Sequence, residues 1–291
     1  MDTNVKVTIG IPVYNAGKYL KNAISSVLSQ TYPNFELLIS LDGVSDNSAE
    51  ITKSFNDDRI HLIEGKENRG IAYRLNEQVK LAQGHYFARM DADDIMFPDR
   101  IETQLRYMLE NPGIDVVGSQ AVVIDENNKI IGSRLSNTFF TSQTIQEKVL
   151  FIHPTVFGKT TWFLNNTYSV EFEGVEDFYL WNTTFSKSKF SVLSDTLLFY
   201  RDPPLSAVNT YLKRQKQVRR ALQRFKSNSL LTFFTYQELL YKSKLKSVIY
   251  YVLSKLNLTR VMLSNRNCSI PSDKFSIYND ILIGIINHNR N

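Results

Sequence analysis

As far as Glu110 the chain alternates short apolar runs with longer stretches of helical spacing, and this rhythm constrains the fold more than any other feature. Val5, Val7, Ile9, Ile11 and Val13 fall on one face of a strand. Pro12 sits near that strand's end, where its missing N–H costs least. Leu20, Ala23, Ile24, Val27 and Leu28 then repeat as one face of an amphipathic helix. Phe35 to Leu41 is a continuous apolar run, as expected of a parallel strand covered on both faces. It ends in Asp42-Gly43, and Asn47 with Glu50 predicts a capped helix beyond. Ile60 to Ile63 reads as a third strand, and Ile71, Leu75, Val79 and Ala82 as a helix face. His85 to Met90 is a fourth strand that runs into Asp91-Ala92-Asp93-Asp94. Pro98 suits the first turn of a helix whose core face is Ile101, Leu105, Met108 and Leu109. Repeated βα units of this kind predict a doubly wound α/β sheet.

From Ile114 the pattern changes. Short strands are expected at Ile114–Gly118 and Ala121–Asp125, the second turning at Glu126–Asn128 into a hairpin. Thr144 to Phe151 reads as helical, His153 to Lys159 as extended, Glu176 to Phe185 as a helix and Val192 to Tyr200 as a strand. After Pro204 the texture turns helical, basic and rich in Tyr, Phe and Leu, which places a boundary between a domain at 1–204 and a C-terminal region at 205–291. The net charge of +5 hides an asymmetry: the first part carries 19 Lys and Arg against 26 Asp and Glu, the second 15 against 3. An acidic front and a basic tail suggest two jobs. The one cysteine, Cys268, excludes an internal disulfide and suits a reducing compartment. Neither a signal peptide nor a membrane span is apparent, so a cytoplasmic location is expected.

In an open α/β sheet, ligands bind beyond the carboxyl ends of the strands. Tyr14-Asn15, Asp42 and the Asp91, Asp93, Asp94 group all fall at such ends. Asp42-Gly43 alone is equally a common turn. The acidic group is harder to dismiss, because carboxylates this close repel one another unless a cation joins them. Hard divalent cations such as Mg²⁺ take oxygen ligands from one or two carboxylates plus substrate phosphates. Neither GxGxxG nor GxxxxGK[ST] occurs, which counts against dehydrogenases and P-loop enzymes.

A set of motifs resembles the family 2 glycosyltransferases, inverting enzymes of the GT-A fold. The matching pieces are Pro12 to Asn15, Ser29 to Tyr32, Glu36 to Ser48, and Glu67 to Gly70 with Arg74 and Asn76. Arg89 to Arg100, Ile152 to Phe157, Val175 to Trp181 and Leu197 to Arg201 follow in the family's order. The resemblance implies a Rossmann-like, mostly parallel twisted sheet flanked by helices, with a helical C-terminal extension. It implies that Pro12, Tyr14, Asn15, Asp42, Asn68, Arg74 and Asp91 bind the nucleotide-sugar donor. In that reading Tyr14 offers a ring face to the base, Asp42 accepts the base's N–H and Arg74 lies near the diphosphate. Asp93 would ligate Mg²⁺ or Mn²⁺ directly, with Asp91 on the ribose or the metal shell. Asp177, in the family's ED motif, would be the catalytic base, whose plain alternative is the exposed start of a helix. Two departures stand out. Leu41 replaces the first of two acids usual before the glycine of the second motif, and Gly158-Lys159 stands where an arginine is common. A diphosphate contact at the latter position is therefore missing or supplied by Lys159. His153 reads equally as a donor contact or as a structural hydrogen bond.

In the tail, Lys213, Arg214, Lys216, Arg219, Arg220, Arg224 and Lys226 form one basic run, and Lys242, Lys244 and Lys246 another, interleaved with apolar residues. Two readings stand: a helical cap on the catalytic domain, or a surface that rests on anionic membrane. Gln217 to Ala221 has only a chance likeness to the QxxRW motif of processive synthases, since Ala221 replaces the tryptophan. The expected function is hexosyl-type transfer from a nucleotide sugar, a UDP-sugar first, to a glycan or lipid-linked acceptor in cell-surface polysaccharide synthesis. Its expected place is the cytoplasm, peripheral on the inner face of the membrane, with no nucleic-acid partner. The rivals are a non-catalytic, membrane-docked nucleotide-sugar-binding protein and a sugar-1-phosphate nucleotidyltransferase. The second should show a glycine-rich basic loop, which Gly10 to Lys18 lacks.

Overall fold

The computed structural model describes residues 4–136, 150–202, 208–256, 258 and 267–288. Strands β1 (Val7–Val13), β2 (Phe35–Asp42), β3 (Ile60–Gly65) and β4 (Tyr86–Arg89) run parallel, with β1 between β2 and β4. Helices α1 (Gly17–Leu28), α2 (Ser48–Lys53) and α3 (Ile71–Leu81) connect them. The order β3-β2-β1-β4 reverses direction at β1, so the crevice beyond the carboxyl ends of β1 and β4 is a topological switch point.

The sheet continues from β4 through antiparallel β8 (Phe157–Lys159) to β6 (Val116–Ile124), β9 (Phe190–Arg201) and the two-residue β5 (Ile95–Met96). Helix α4 (Arg100–Glu110) precedes β6, and β7 (Ile130–Arg134) forms the expected hairpin with it. Helices α5 (Thr160–Asn165) and α6 (Glu176–Thr184) lie between β8 and β9. The principal core takes one face of β1 and β2, while the other face buries polar Thr8, Glu36, Ser40 and Asp42, so that every residue from Phe35 to Asp42 is buried.

Several local expectations are corrected. The two strands expected at Ile114–Gly118 and Ala121–Asp125 are one strand, β6, whose register against β9 shifts around Gln120. Its polar residues are absorbed there: Ser119 N–H donates to Thr155 Oγ1 at 3.0 Å, and Gln120 Nε2 to the Leu193 carbonyl at 3.0 Å. The segment from His153 is not extended throughout. A 3-10 turn spans His153–Thr155, with the Thr155 hydroxyl on the Ile152 carbonyl at 2.7 Å, and the strand starts only at Phe157. Asn47 precedes α2 but makes no side-chain cap; Asp46 Oδ1 accepts from Ser48 N–H instead, at 3.1 Å. Pro98 lies ahead of α4 rather than in its first turn. The helix expected over Thr144–Phe151 falls, at 144–149, outside the described residues.

The C-terminal region is helical: α7 (Val208–Ser227), α8 (Phe233–Lys255) and α9 (Ser272–His288). Its helices pack on the sheet domain in two places. Ala221, Leu222 and Phe225 of α7, with Leu231 and Leu239, share a core with Phe172, Val175 and Phe178 around the start of α6. Leu282 and Ile285 of α9 cover Ile95, Phe97, Val122, Ile124 and Phe199 at the other edge. A backbone bridge between Ser133 and Cys268 ties the tail to β7. No helix among the described residues is long and apolar enough to cross a membrane.

Candidate active site

Three loops leave the carboxyl ends of β1, β2 and β4 on the same side of the sheet, because those strands are parallel. The β1 and β4 loops line a cleft of about 260 Å³ formed by Pro12, Tyr14, Asn15, Ala16, Tyr19, Asp91, Ala92 and Asp93. Tyr14 is 55% exposed, so its ring face is available to a planar ligand. Asn15 adopts φ 49, a left-handed conformation that asparagine tolerates, and its Oδ1 accepts from Ser45 N–H at 2.8 Å. That bond couples the β1 loop to the β2 loop.

Asp42 closes β2 and is almost wholly buried. Its Oδ1 accepts from Arg69 N–H at 2.8 Å and from Arg74 Nε at 2.7 Å, and its Oδ2 from Gly70 N–H at 2.9 Å. A carboxylate offers about four lone-pair positions, so one remains for a ligand N–H. Arg74 is equally enclosed, with its other nitrogens on Glu77 Oε2 at 2.9 Å and the Glu67 carbonyl at 3.0 Å. The loop so anchored lines a second hollow of about 210 Å³, formed by Asn68, Arg69, Gly70, Ala72, Val170 and Glu173.

Among the described residues, Asp91, Asp93 and Asp94 form the group of acidic, His or Cys side chains that could share a metal ion, with ligand atoms within 4.8 Å of one another. Burial and the Asp91 carboxylate push Asp93 up to about 6. Burial and both neighbours push Asp94 well above the usual carboxylate range. Asp94 Oδ1 accepts from Arg201 N–H at 2.8 Å, but its Oδ2 is buried without a partner. Crowded hard oxygen donors, raised pKa values and an orphaned carboxylate oxygen together fit an oxophilic divalent cation such as Mg²⁺ or Mn²⁺.

Two arginines hold this loop. Arg201, at the end of β9, donates from Nε to the Asp93 carbonyl at 2.8 Å and from Nη2 to Asn128 Oδ1 at 2.6 Å, and from Nη1 to the Asp125 carbonyl. Its guanidinium lies 4.1 Å from the centre of the Tyr19 ring, in the cleft wall. Sequence reading saw Arg201 only as the end of a strand motif; its signal was a lone arginine closing an apolar β run. Arg89 ends β4, donates to Asp91, and keeps Nε and Nη1 buried without hydrogen bonds. Burial alone would depress Arg89, and the surrounding Asp91, Tyr168, Asp94 and Glu176 hold it above its ordinary value.

Arg89 thereby links the acidic loop to the start of α6. Glu176 and Asp177 are there 6% and 7% exposed, so they are not a solvated helix start. Their position in the first turn is favoured by the helix dipole. Glu176 Oε2 accepts from Gly174 N–H at 2.7 Å, and Asp177 Oδ1 from Phe178 N–H at 2.7 Å. Burial and the Asp177 charge push Glu176 up to about 7. Tyr168 lies in the same electrostatic neighbourhood: burial pushes its hydroxyl up, with Arg89 opposing and Asp177, Glu176 and Asp91 adding to the rise.

His153 makes the structural hydrogen bond that was one of its two readings, Nε2 to the Tyr168 hydroxyl at 3.0 Å. Desolvation and Arg89 push it well below the usual histidine range. Lys159 is corrected as a diphosphate contact. Because β8 runs antiparallel to β4, Lys159 pairs with Tyr86 at the far end of β4 from the acidic loop. Its Nζ donates to the Pro112 carbonyl at 2.8 Å.

Residues 8–165 match the family model described as glycosyl transferase family 2. MJ1057 of Methanocaldococcus jannaschii, an uncharacterized glycosyltransferase, is 31% identical over 224 residues, covering 72% of this chain and 75% of its own. WfgD of Escherichia coli, a UDP-Glc:alpha-D-GlcNAc-diphosphoundecaprenol beta-1,3-glucosyltransferase, is 33% identical over 188 residues, covering 65% of this chain and 73% of its own. The solved mannosyltransferase PcManGT from Pyrobaculum calidifontis, in complex with GDP-Man and Mn²⁺, shares the fold with a TM-score of 0.59 at 15% identity, covering 99% of this chain and 88% of that one.

Proposed function

The chain belongs to glycosyl transferase family 2, and from that premise we propose that it is an inverting transferase for a nucleotide sugar, first of all a UDP-sugar. We place its acceptor hydroxyl on a glycan or a lipid-linked sugar, in the synthesis of a cell-surface polysaccharide. The observation that carries the reading is the acidic loop at the switch point, in which Asp94 is buried, together with Arg89, which pairs with Asp91 and interacts electrostatically with Glu176 of a second, buried acidic pair. The name of WfgD supports both the UDP donor and the lipid-diphosphate acceptor.

In this reading Tyr14 stacks on the base beside Pro12 and Asn15, and the remaining lone-pair position of Asp42 takes the base N–H. Arg74 and Asn68 serve donor binding by fixing Asp42 and the loop it anchors. Asp93, with Asp91, holds Mg²⁺ or Mn²⁺, which when bound neutralises the charge of the departing diphosphate. Inversion requires the acceptor oxygen to attack the anomeric carbon opposite the breaking C–O bond. A carboxylate on the acceptor side must take the hydroxyl proton as the new C–O bond forms. Asp177 is assigned that role, with Glu176 beside it as a second carboxylate of raised pKa. Arg89 holds Asp91 and steadies the negative charge between the two acidic groups. The basic C-terminal region keeps the enzyme on the cytoplasmic face of an anionic membrane.

The test is a panel of UDP- and GDP-sugars with and without Mn²⁺, read by thermal shift and by release of free nucleoside diphosphate. A metal-dependent shift with at least one donor, abolished by Asp93→Ala, is the expected result. A shift with no release would leave the non-catalytic binding protein, and no shift with any donor would overturn the donor reading itself.

A further inference from the structure

The structure redistributes the basic tail. On α7, Arg220 and Arg224 pair with Glu171 at 3.3 and 3.2 Å, and Lys213 with Glu173 at 3.7 Å. Arg219 reaches across to Ser243 and Ser247 of α8, at 3.3 and 3.0 Å. These pairings tie α7 to the segment before α6 and to α8 and neutralise part of its charge, with Lys213, Arg220 and Arg224 still exposed.

Helix α8 differs. Its inner face carries the buried Leu239, Ser243 and Tyr250. Its outer face carries Phe234, Tyr241, Leu245, Val248 and Val252, continued by Leu256 just past its end, all exposed, with Phe234 at 83%. At 3.6 residues per turn these six fall on one stripe running the length of the helix. Exposed Glu238 falls within the stripe and pairs with Lys242, which flanks it on one side, while exposed Lys244 and Lys255 flank it on the other. Three lysines against one acid leave this apolar outer face net positive, which suits a helix face resting on an anionic bilayer interface.

We propose that the outer face of α8 docks on an anionic lipid bilayer, its stripe entering the headgroup boundary and its flanking lysines meeting the lipid phosphates. Charge complementarity selects this occupant over a second copy of the chain. Two copies joined stripe to stripe would bring the lysines together, and the one acid on α8, Glu238, is already paired with Lys242 at 2.7 Å. The hairpin of α7 and α8 shares its inner core with α6, which carries Glu176 and Asp177. A docked α8 therefore fixes the base helix relative to the lipid surface, which suits an acceptor that ends in a lipid. That purpose rests on the acceptor reading above; the docking itself rests on the helix alone.

The experiment is co-sedimentation of the full chain, without donor or acceptor, with vesicles of equal parts phosphatidylglycerol and phosphatidylcholine or of phosphatidylcholine alone. Expected is strong binding to the first, weak binding to the second, and loss at high salt. Lys242→Ala, Lys244→Ala and Lys255→Ala together should weaken binding to anionic vesicles by roughly a hundredfold. Val248→Glu with Val252→Glu should abolish it, and both sets should keep the parental thermal midpoint because every site is exposed. If the parent ignores anionic vesicles at low salt, or forms a dimer that Val248→Glu with Val252→Glu dissolves, the proposal is overturned. Failure of sugar transfer in a chain that binds vesicles would count against the transferase reading and leave the docking intact.

Discussion

The Nε of Arg74 donates to Oδ1 of Asp42 across 2.7 Å, with both side chains at most 5% exposed. The same carboxylate holds the backbone of Arg69 and Gly70, so the pair anchors the loop after β3 to the end of β2. Removing one partner of a buried pair leaves the other uncompensated. Arg74→Ala should therefore destabilise the protein by about 3 kcal/mol and weaken donor binding as well. Urea unfolding and donor titration check this; a parental midpoint would show that the two backbone donors suffice for Asp42.

Arg201 does for the acidic loop what Arg74 does for the loop after β3. It grips the Asp93 carbonyl, Asp94 and Asn128 together while its face covers Tyr19. Arg201→Lys keeps the charge but cannot reproduce the planar fork. We expect Mn²⁺ affinity, read by calorimetry without donor, to fall at least as steeply as for a loss of outer-shell support, roughly 10–100-fold. Unchanged affinity would mean that the backbone bond from Arg201 to Asp94 alone holds the loop.

Asp177→Asn should separate binding from chemistry. The amide is nearly isosteric yet cannot take the acceptor's proton, so transfer should drop by ~10²–10⁴-fold with donor affinity nearly unchanged. Transfer above about a tenth of the parental rate would move the role to Glu176.

The raised pKa of Glu176 makes a stability prediction with a definite sign. Burial, and then the Asp177 charge, lift it from 4.5 to about 7 in the folded protein, so folding favours the protonated form. Stability from this group is fully present below about pH 4.5 and is lost as pH rises through about 7. Glu176→Gln, which stays neutral, should therefore exceed the parent in stability at about pH 8, by an amount on the order of 3 kcal/mol. The advantage should shrink towards about pH 5, where the parent's own carboxyl is protonated. Urea midpoints at both pH values test it, and an advantage independent of pH would assign the effect to packing.

Most of the scaffold was legible because its signals are local. The period of Val7, Ile9, Ile11 and Val13, and the same period of Phe35, Leu37, Ile39 and Leu41, state strand and buried face without reference to anything distant. The elements that escaped are those made by distant contacts. The strand Ile95–Met96 exists only because Phe199 and Leu198 pair with it. The single strand β6 hides its polar Ser119 and Gln120 by bonds to Thr155 and Leu193.

The same division runs through the site. Sequence alone determined that acids stand at the ends of β2 and β4, because the ends of apolar runs locate the rim of a parallel sheet. Tertiary structure alone decided that Arg89 pairs with Asp91 and interacts with Glu176 as well, that Lys159 lies at the far end of β4 from the acidic loop, and that Arg219, Arg220 and Arg224 of α7 find partners on neighbouring elements. Charge and hydrophobicity are properties of residues and can be read along a chain. Burial, pairing and direction are properties of the neighbours that folding brings from far away.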